Sequence, residues 1–452
     1  MKGCYTCERR RIRCDRASPS CRKCHEKGLE CPGYGQRLRW AGGAATRGRL
    51  LQIQEPPPPQ DDSTSSPATP SWMHSTSWDA LAGAPLNRLI DHWERNIACR
   101  MVWIDSPSNP YRVLVAPLAR VIPVIGLALA AVSSQHASGR EEAALSERCR
   151  NEAVAMISAY VRSVADGGGQ LLDREPVEWV LAAMMLLSCY EMTDSGAAAA
   201  DFHRRAARSL VNTFDAAGPG RDSKLFAFLR NQLAIHDVFA CTTSFDPSTM
   251  HDVVLPGRDD RTVLFSTYLV YLLDVTILSR VAVPSRARSL RMGLTMRHVQ
   301  ARFDIARGET LMASGPLLNT SAIHRRDFIC VVNITHHAAL LYAARCLELD
   351  GDEDARAGHL DSLFDQLAAM TAPEDWLHCI AWSLFIAGVE SHGDASRQAI
   401  VTGLYEQLYE GMRFRNFRDA LDFLRQFWAE TNEDWRGTAK VWEGAGHTVL
   451  LP

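Results

Sequence analysis

Residues 4–31 read Cys4-Tyr-Thr-Cys7-Glu-Arg-Arg-Arg-Ile-Arg-Cys14-Asp-Arg-Ala-Ser-Pro-Ser-Cys21-Arg-Lys-Cys24-His-Glu-Lys-Gly-Leu-Glu-Cys31. Shifted by seventeen positions the stretch lies on itself, with Cys4 on Cys21, Cys7 on Cys24 and Cys14 on Cys31. Six of the chain's 13 cysteines fall in this segment. Thiolates paired two residues apart suit zinc, which takes four ligands in a tetrahedron. Two Zn²⁺ need eight ligand places, and six sulfurs fill them only if two of the sulfurs bridge. A module this short buries no apolar core of its own, so metal must supply its folding energy. A disulfide framework, an iron–sulfur site or separate redox pairs compete with this reading, but the internal repeat and the basic gap after Cys7 favour zinc.

The two copies differ in charge. Between Cys7 and Cys14 stand Arg9, Arg10, Arg11 and Arg13, whereas the matching gap, His-Glu-Lys-Gly-Leu-Glu, is mixed. If each gap is a short helix held by its cysteines, the first presents a cationic face to a polyanion. Arginine's planar fork pairs with the O6 and N7 acceptors of guanine in the major groove, a contact worth about 1–3 kcal/mol of discrimination. Arg10 and Arg11 are therefore the candidate base readers in double-stranded DNA. Lys2, Arg9, Arg13, Arg22 and Lys23 are candidates for phosphate, a contact that positions without specifying sequence. Some of these cations must also balance the −2 charge of six thiolates around two Zn²⁺. Pro19 fixes the loop joining the halves.

Composition separates this end from the rest. Residues 1–50 hold 13 Lys and Arg against 4 Asp and Glu, a net +9, and the remainder holds 36 against 48, a net −12. Partners with phosphate backbones belong at the basic end. Cys99, Cys149, Cys189, Cys241, Cys330, Cys346 and Cys379 are scattered singly, as expected of reduced core thiols. Met1–Arg13 has no apolar run, so no secretory leader is expected. The most apolar segment, 113–132, is interrupted by Pro117, Arg120 and Pro123, and too little remains to cross a bilayer of the usual thickness. No membrane partner is expected.

The expected organisation is a cysteine module at 1–35, a basic arm at 36–51, a Pro/Ser-rich flexible linker at 52–84 and an all-α body at 85–452. Gln-Glu-Pro-Pro-Pro-Pro-Gln-Asp-Asp-Ser-Thr-Ser-Ser-Pro at 54–67 cannot pack. Between Leu38 and Trp72 the few aliphatic residues sustain no heptad, so a coiled-coil dimer beside the module is not expected. In the body, Leu225, Phe228, Leu229, Ile235 and Phe239 share a helical face, as do Leu404, Leu408 and Met412, and Leu421, Leu424 and Trp428. The segments 178–191 and 375–390 are apolar on nearly all sides, the mark of helices buried in a bundle. Thr371 and Glu374 predict a capping box at the start of the second. Turn signals near 166, 219 and 350 separate helix-length segments.

The cysteine spacing, with Arg-Arg-Ile-Arg-Cys-Asp at 10–15, Pro19 and Cys-Pro-Gly-Tyr at 31–34, resembles the fungal binuclear zinc cluster transcription factors. That resemblance implies that Cys4 and Cys21 are the bridging ligands and that Arg11, four residues past the second cysteine, reads a CGG-like triplet with Arg10 beside it. Glu8 stands where the family is usually basic, and Arg11 replaces a usual lysine. Asn-Pro-Tyr-Arg-Val-Leu-Val-Ala-Pro-Leu-Ala at 109–119, Leu-Leu-Ser-Cys-Tyr-Glu at 186–191 and Trp-Ser-Leu-Phe-Ile-Ala-Gly-Val-Glu-Ser at 382–391 resemble the second fungal-specific transcription factor domain, an all-helical regulatory region. Gly-Tyr-Gly-Gln-Arg-Leu-Arg-Trp at 33–40 is similar to the segment that often precedes it.

Taken together, the expectation is a nuclear regulator of RNA polymerase II genes, of a metabolic or secondary-metabolite pathway. It acts as monomer or as dimer through the helical body, with coregulators and a small-molecule effector as further partners. The alternative is a metabolite receptor, or a scaffold whose zinc module contacts protein. No nucleotide loop, nucleophile elbow or zinc-protease motif is present, which argues against an enzyme. His336, His337 and His378 read as structural, and Glu390 as a helix-end carboxylate. The tail bearing Trp428, Glu430, Glu433, Asp434, Trp435, Trp442 and Glu443 reads as a terminal helix packing tryptophans on the body, with a coactivator contact as the competing role.

Overall fold

The computed structural model describes Cys7, residues 12–15, Ala17, residues 21–27, Cys31 and residues 75–451 apart from 138–139, 167–173, 194–196, 218–222, 258–263, 281–294, 319–320, 349–352 and 450. It divides into two compact units, residues 1–63 and 64–452. The basic arm and residues 52–74 of the expected linker lie outside the described residues. The last part of that linker is helical: α1 (Thr76–Leu81) is capped by Ser75, and both Ser75 Oγ and Ser77 Oγ donate to the Glu152 carboxylate. The second unit is built from helices, with no strand among the described residues.

Its first half begins with α2 (Ala84–Asn96), which has proline in its first turn and buries Leu86, Ile90 and Trp93 at helical spacing. The apolar segment 113–132 becomes a π-helical turn (Tyr111–Val115), a helical turn (Ala116–Ala119) and α3 (Pro123–Ala137), with a bend of 110° between the two arms. Pro123 lacks the amide that would continue the first arm, so the chain turns there. Residues 124–134 of α3 are buried on every side. Around α3 pack α4 (Arg140–Asp166) and α5 (Arg174–Thr193); α6 (Ala197–Ala217) covers α5, and α7 (Lys224–Thr243) closes on both. The apolar 178–191 is therefore the middle of a bundle, as its composition implies. Buried charges tie α6 to α7. Arg204 and Arg208 both bind the Asp237 carboxylate, which is 0% exposed, and Asp237 also accepts Val254 N at 2.9 Å.

The second half centres on α10 (Ala322–Leu347), wrapped by α8 (Ser266–Arg280), α9 (Met296–Ser314), α11 (Glu353–Ala369) and α12 (Ala381–Val389). By length and composition α10 is apolar enough to cross a membrane, but 83% of its most apolar window is buried inside this fold. The single helix and capping box expected at 375–390 do not form. Two 3₁₀ turns, Pro373–Asp375 and Leu377–Ile380, precede α12. The amides of Thr371 and Ala372 go instead to the buried Asp327 carboxylate of α10, each at 2.9 Å. A tertiary acceptor thus takes the donors that a local cap would have used. Turn signals hold where they can be read: α4 ends at Asp166, α6 at Ala217 and α10 at Leu347, followed by Glu348 in the left-handed region at φ 49°.

α13 (Ala395–Met412), α14 (Asn416–Ala429) and α15 (Trp435–Gly444) complete the unit. Trp435 is 1% exposed against Phe385 and Phe245, and Trp428 Nε1 donates to Gly388 O at 2.9 Å. Glu443 accepts Ser244 Oγ at 2.6 Å and Phe245 N at 2.8 Å, and Glu430 accepts Thr438 Oγ1 at 2.6 Å. The acidic and aromatic tail is a packed terminal helix.

Candidate metal centre and nucleic-acid interface

Within the first unit, the sulfurs of Cys7, Cys14 and Cys21 lie within 4.8 Å of one another, and so do those of Cys21, Cys24 and Cys31. Cys21 belongs to both groups. Cys7, Cys21 and Cys24 are buried, with Cys14 and Cys31 packed at their edge, so among the described residues of this unit the cysteines form the core. Cys7 Sγ and Cys21 Sγ are 3.7 Å apart. A disulfide requires about 2.05 Å, whereas two sulfurs on one tetrahedral zinc with Zn–S of about 2.3 Å stand about 3.8 Å apart. The donor set therefore fits two zinc ions sharing Cys21, and bound zinc would supply the cross-links that this unit's apolar residues cannot.

Local backbone supports the sulfurs. A helical turn, Arg22–His25, starts at Cys21, whose Sγ accepts Cys24 N at 3.3 Å, and Cys21 N points to Cys31 Sγ at 3.4 Å. Amide donors of this kind stabilise thiolate charge. Asp15 accepts Arg22 N at 3.1 and 3.2 Å through its two oxygens, joining the end of the first copy to the helical turn of the second. Its role was not visible in the spacing, although one signal exists: the repeat places Pro32 opposite Asp15, so the aspartate belongs to the junction between copies. The described helical turn, Arg22–His25, reaches the first residue of the gap that follows Cys24.

Arg13, Arg22 and Lys23 are exposed around this core. Cys4, Lys2, Arg9, Arg10, Arg11 and Pro19 lie outside the described residues, and with them the expected second bridging sulfur and both expected base readers.

Elsewhere, the histidines noted from the sequence have structural surroundings. His336 is buried, with Nδ1 3.3 Å from Tyr268 Oη and Nε2 3.5 Å from Asp304 Oδ1. His337 Nδ1 is 3.2 Å from His359 Nδ1, and His378 Nε2 donates to Val102 O at 3.2 Å. Burial, with the Arg307 guanidinium, lowers His336 to about 4, and burial lowers His378 to about 4 as well. Neutral and enclosed, they carry no acid–base chemistry near neutral pH. Glu390 is gripped by Arg345 at 2.9 and 2.8 Å and by Arg356 at 2.6 Å, an ion-pair knot between helices. The seven scattered cysteines are free thiols. Burial raises Cys149 and Cys241 to about 11 and Cys189 to about 12, which leaves them protonated and inert.

Residues 88–451 match the family model described as the fungal specific transcription factor domain. The chain belongs to that family. Residues 2–41 match the fungal Zn(2)-Cys(6) binuclear cluster domain, whose members bind two zinc ions. This fungal zinc cluster transcription factor is 58% identical over 40 residues to acriflavine sensitivity control protein acr-2 of Neurospora crassa, covering 9% of this chain and 7% of that one. Arginine metabolism regulation protein II of Saccharomyces cerevisiae is 44% identical over 39 residues, 9% of this chain and 4% of its own. Transcription factor phomR of Diaporthe leptostromiformis is 40% identical over 53 residues, 12% and 8% respectively. The chain thus spans less than a tenth of the length of the curated relatives it matches. No solved structure matches this fungal zinc cluster transcription factor.

Proposed function

We propose that this chain is a nuclear, sequence-specific regulator of transcription that binds double-stranded DNA through residues 1–35 and carries no catalytic activity. Cys4, Cys7, Cys14, Cys21, Cys24 and Cys31 hold the two Zn²⁺, with Cys4 and Cys21 bridging. The observation that carries the reading is the sharing of Cys21 between two sulfur triads, in a module whose sequence carries a run of arginines between Cys7 and Cys14. Arg10 and Arg11 read bases of a CGG-like triplet, while Lys2, Arg9, Arg13, Arg22 and Lys23 meet phosphates. The basic arm, the linker and the helical body at 85–452 follow in order, and the body receives coregulators or an effector. The name of the yeast relative, an arginine metabolism regulation protein, supports control of a metabolic or secondary-metabolite pathway as the physiological role.

A selection from random duplex DNA with the zinc-loaded chain tests this. Enrichment of a G-rich triplet is the expected result; no enrichment would favour a module that contacts protein. Base reading predicts a further split. Arg11→Ala should lower affinity for the selected site about 5- to 150-fold, corresponding to about 1–3 kcal/mol, and change affinity for random duplex much less. Equal losses on both would reduce Arg11 to a phosphate contact.

A further inference from the structure

One side of α9 packs on the body through Val299, Phe303, Ala306, Thr310 and Ser314. The opposite side carries His298, Ala301, Ile305, Gly308, Met312 and the C-cap Gly315, spaced three, four, three, four and three residues apart. All six are exposed, Ile305 at 53% and Met312 at 82%. Alternating steps of three and four are the seam of a two-helix coiled coil. Gly308 adds a second observation. In mid-helix a glycine is less favourable than an alanine, and nothing in this chain needs the missing side chain, since a Cβ there would meet no atom within 4 Å. A helix brought by another molecule would need that space.

The row is its own complement. A two-fold axis between Ala306 and Arg307 sets two such helices antiparallel, and every layer of the seam then joins a larger residue to a small one. Ile305 meets Gly308, Met312 meets Ala301 and His298 meets Gly315, each pair occurring twice by symmetry. The charges agree with this register. Arg302 and Glu309 flank the seam on one side, seven residues apart, and the pairing brings Arg302 of one copy beside Glu309 of the other, again twice. Within their own chain both make surface contacts, Arg302 with Asp274 at 3.2 Å and Glu309 with the Thr267 hydroxyl. On the other flank Asp304 comes opposite Leu311, which adds no repulsion.

We infer that α9 is a dimerisation helix, pairing antiparallel with α9 of a second copy of this chain through the row from His298 to Gly315. Such a dimer carries two cysteine modules, and with no heptad expected beside those modules the pairing comes from the helical body. The inference does not rest on DNA binding. A seam of five turns buries less than a standard interface, so the dimer should dissociate on dilution.

Sedimentation velocity of the zinc-loaded full chain, without DNA, from about 1 to 100 µM tests it. The expected result is a shift from monomer to dimer within that range. Ile305→Glu and Met312→Glu should each weaken the dimer at least about tenfold by placing a charge in the seam, and should leave the helical circular dichroism melt in place because both side chains face outward. Gly308→Leu adds apolar surface but fills the space that Ile305 of the other copy occupies, so it too should weaken the dimer, whereas non-specific stickiness would strengthen it. Arg302→Glu should weaken association, and Arg302→Glu combined with Glu309→Arg should restore it. A monomer at every concentration, which would leave this face to a different protein, overturns the inference. So does a dimer indifferent to Met312→Glu, one strengthened by Gly308→Leu, or a double charge reversal that fails to recover association.

Discussion

Cys21 is the residue through which the two halves of the first unit depend on one another, because its sulfur lies in both triads. Cys21→Ser should therefore reduce bound zinc from two ions to none, whereas Cys14→Ser, which touches one triad, should retain a detectable one-zinc species in native mass spectrometry. The gathering of Cys7, Cys14, Cys21, Cys24 and Cys31 was legible in the sequence because metal ligands on a short chain must be close in sequence. Asp15 was not, because its partner is a backbone amide, which every residue possesses. The same holds in the body for Asp237. Its carboxylate is one of many acids in the sequence, yet it sits at 0% exposure between Arg204 and Arg208. Asp237→Asn leaves the buried Arg208 guanidinium without its carboxylate, while Arg204 keeps Asp201, and should cost about 3–5 kcal/mol in urea unfolding of the helical body.

For the elements, periodicity locates helices well and their junctions poorly. The face shared by Leu225, Leu229 and Phe239 and the burial of 178–191 follow from spacing alone. The start of 375–390 does not, since Asp327, over forty residues earlier, captures the amides of Thr371 and Ala372. Asp327→Ala should destabilise the body by about 2–4 kcal/mol, the loss of two buried amide partners, and raise hydrogen exchange at 371–372. Close approach of helices is equally hidden. A methyl group on Gly126 would come within 2.3 Å of the Trp78 ring and 2.5 Å of Ala119 O. Gly126→Ala should therefore expel α1 from its seat and open the bend before α3, costing about 1–3 kcal/mol and making the chain near Trp78 a protease target.

At the scale of the molecule, enclosed histidines set a pH dependence. His336 and His378 titrate at about 4 in the folded body and at about 6.5 once unfolded. Between these values the unfolded chain binds more protons, so stability falls as pH drops from about 6.5 toward 4 and is level above neutrality. The melting temperature should be lower at pH 5 than at pH 7.5, and His378→Gln should flatten that slope. Around His336 the Arg307 guanidinium, His337, His359 and the Asp304 carboxylate all contribute, so its single variant should change the slope less cleanly.

The sequence by itself determined that the chain has a cysteine-rich metal module and a helical body, because ligand spacing, charge segregation and helical period are local properties that survive without coordinates. It also determined the packed terminal helix, since tryptophans at helical spacing have more to gain from burial than from solvent. Only the tertiary structure decided that α10, apolar enough for a bilayer, is the central strut of a bundle, whereas the place of Cys21 in both described triads agrees with the bridging role that the family resemblance implied. The fold alone put Ile305 and Met312 on the outside of α9. Hydropathy and spacing record what a residue prefers to touch; which partner it meets depends on how distant segments pack.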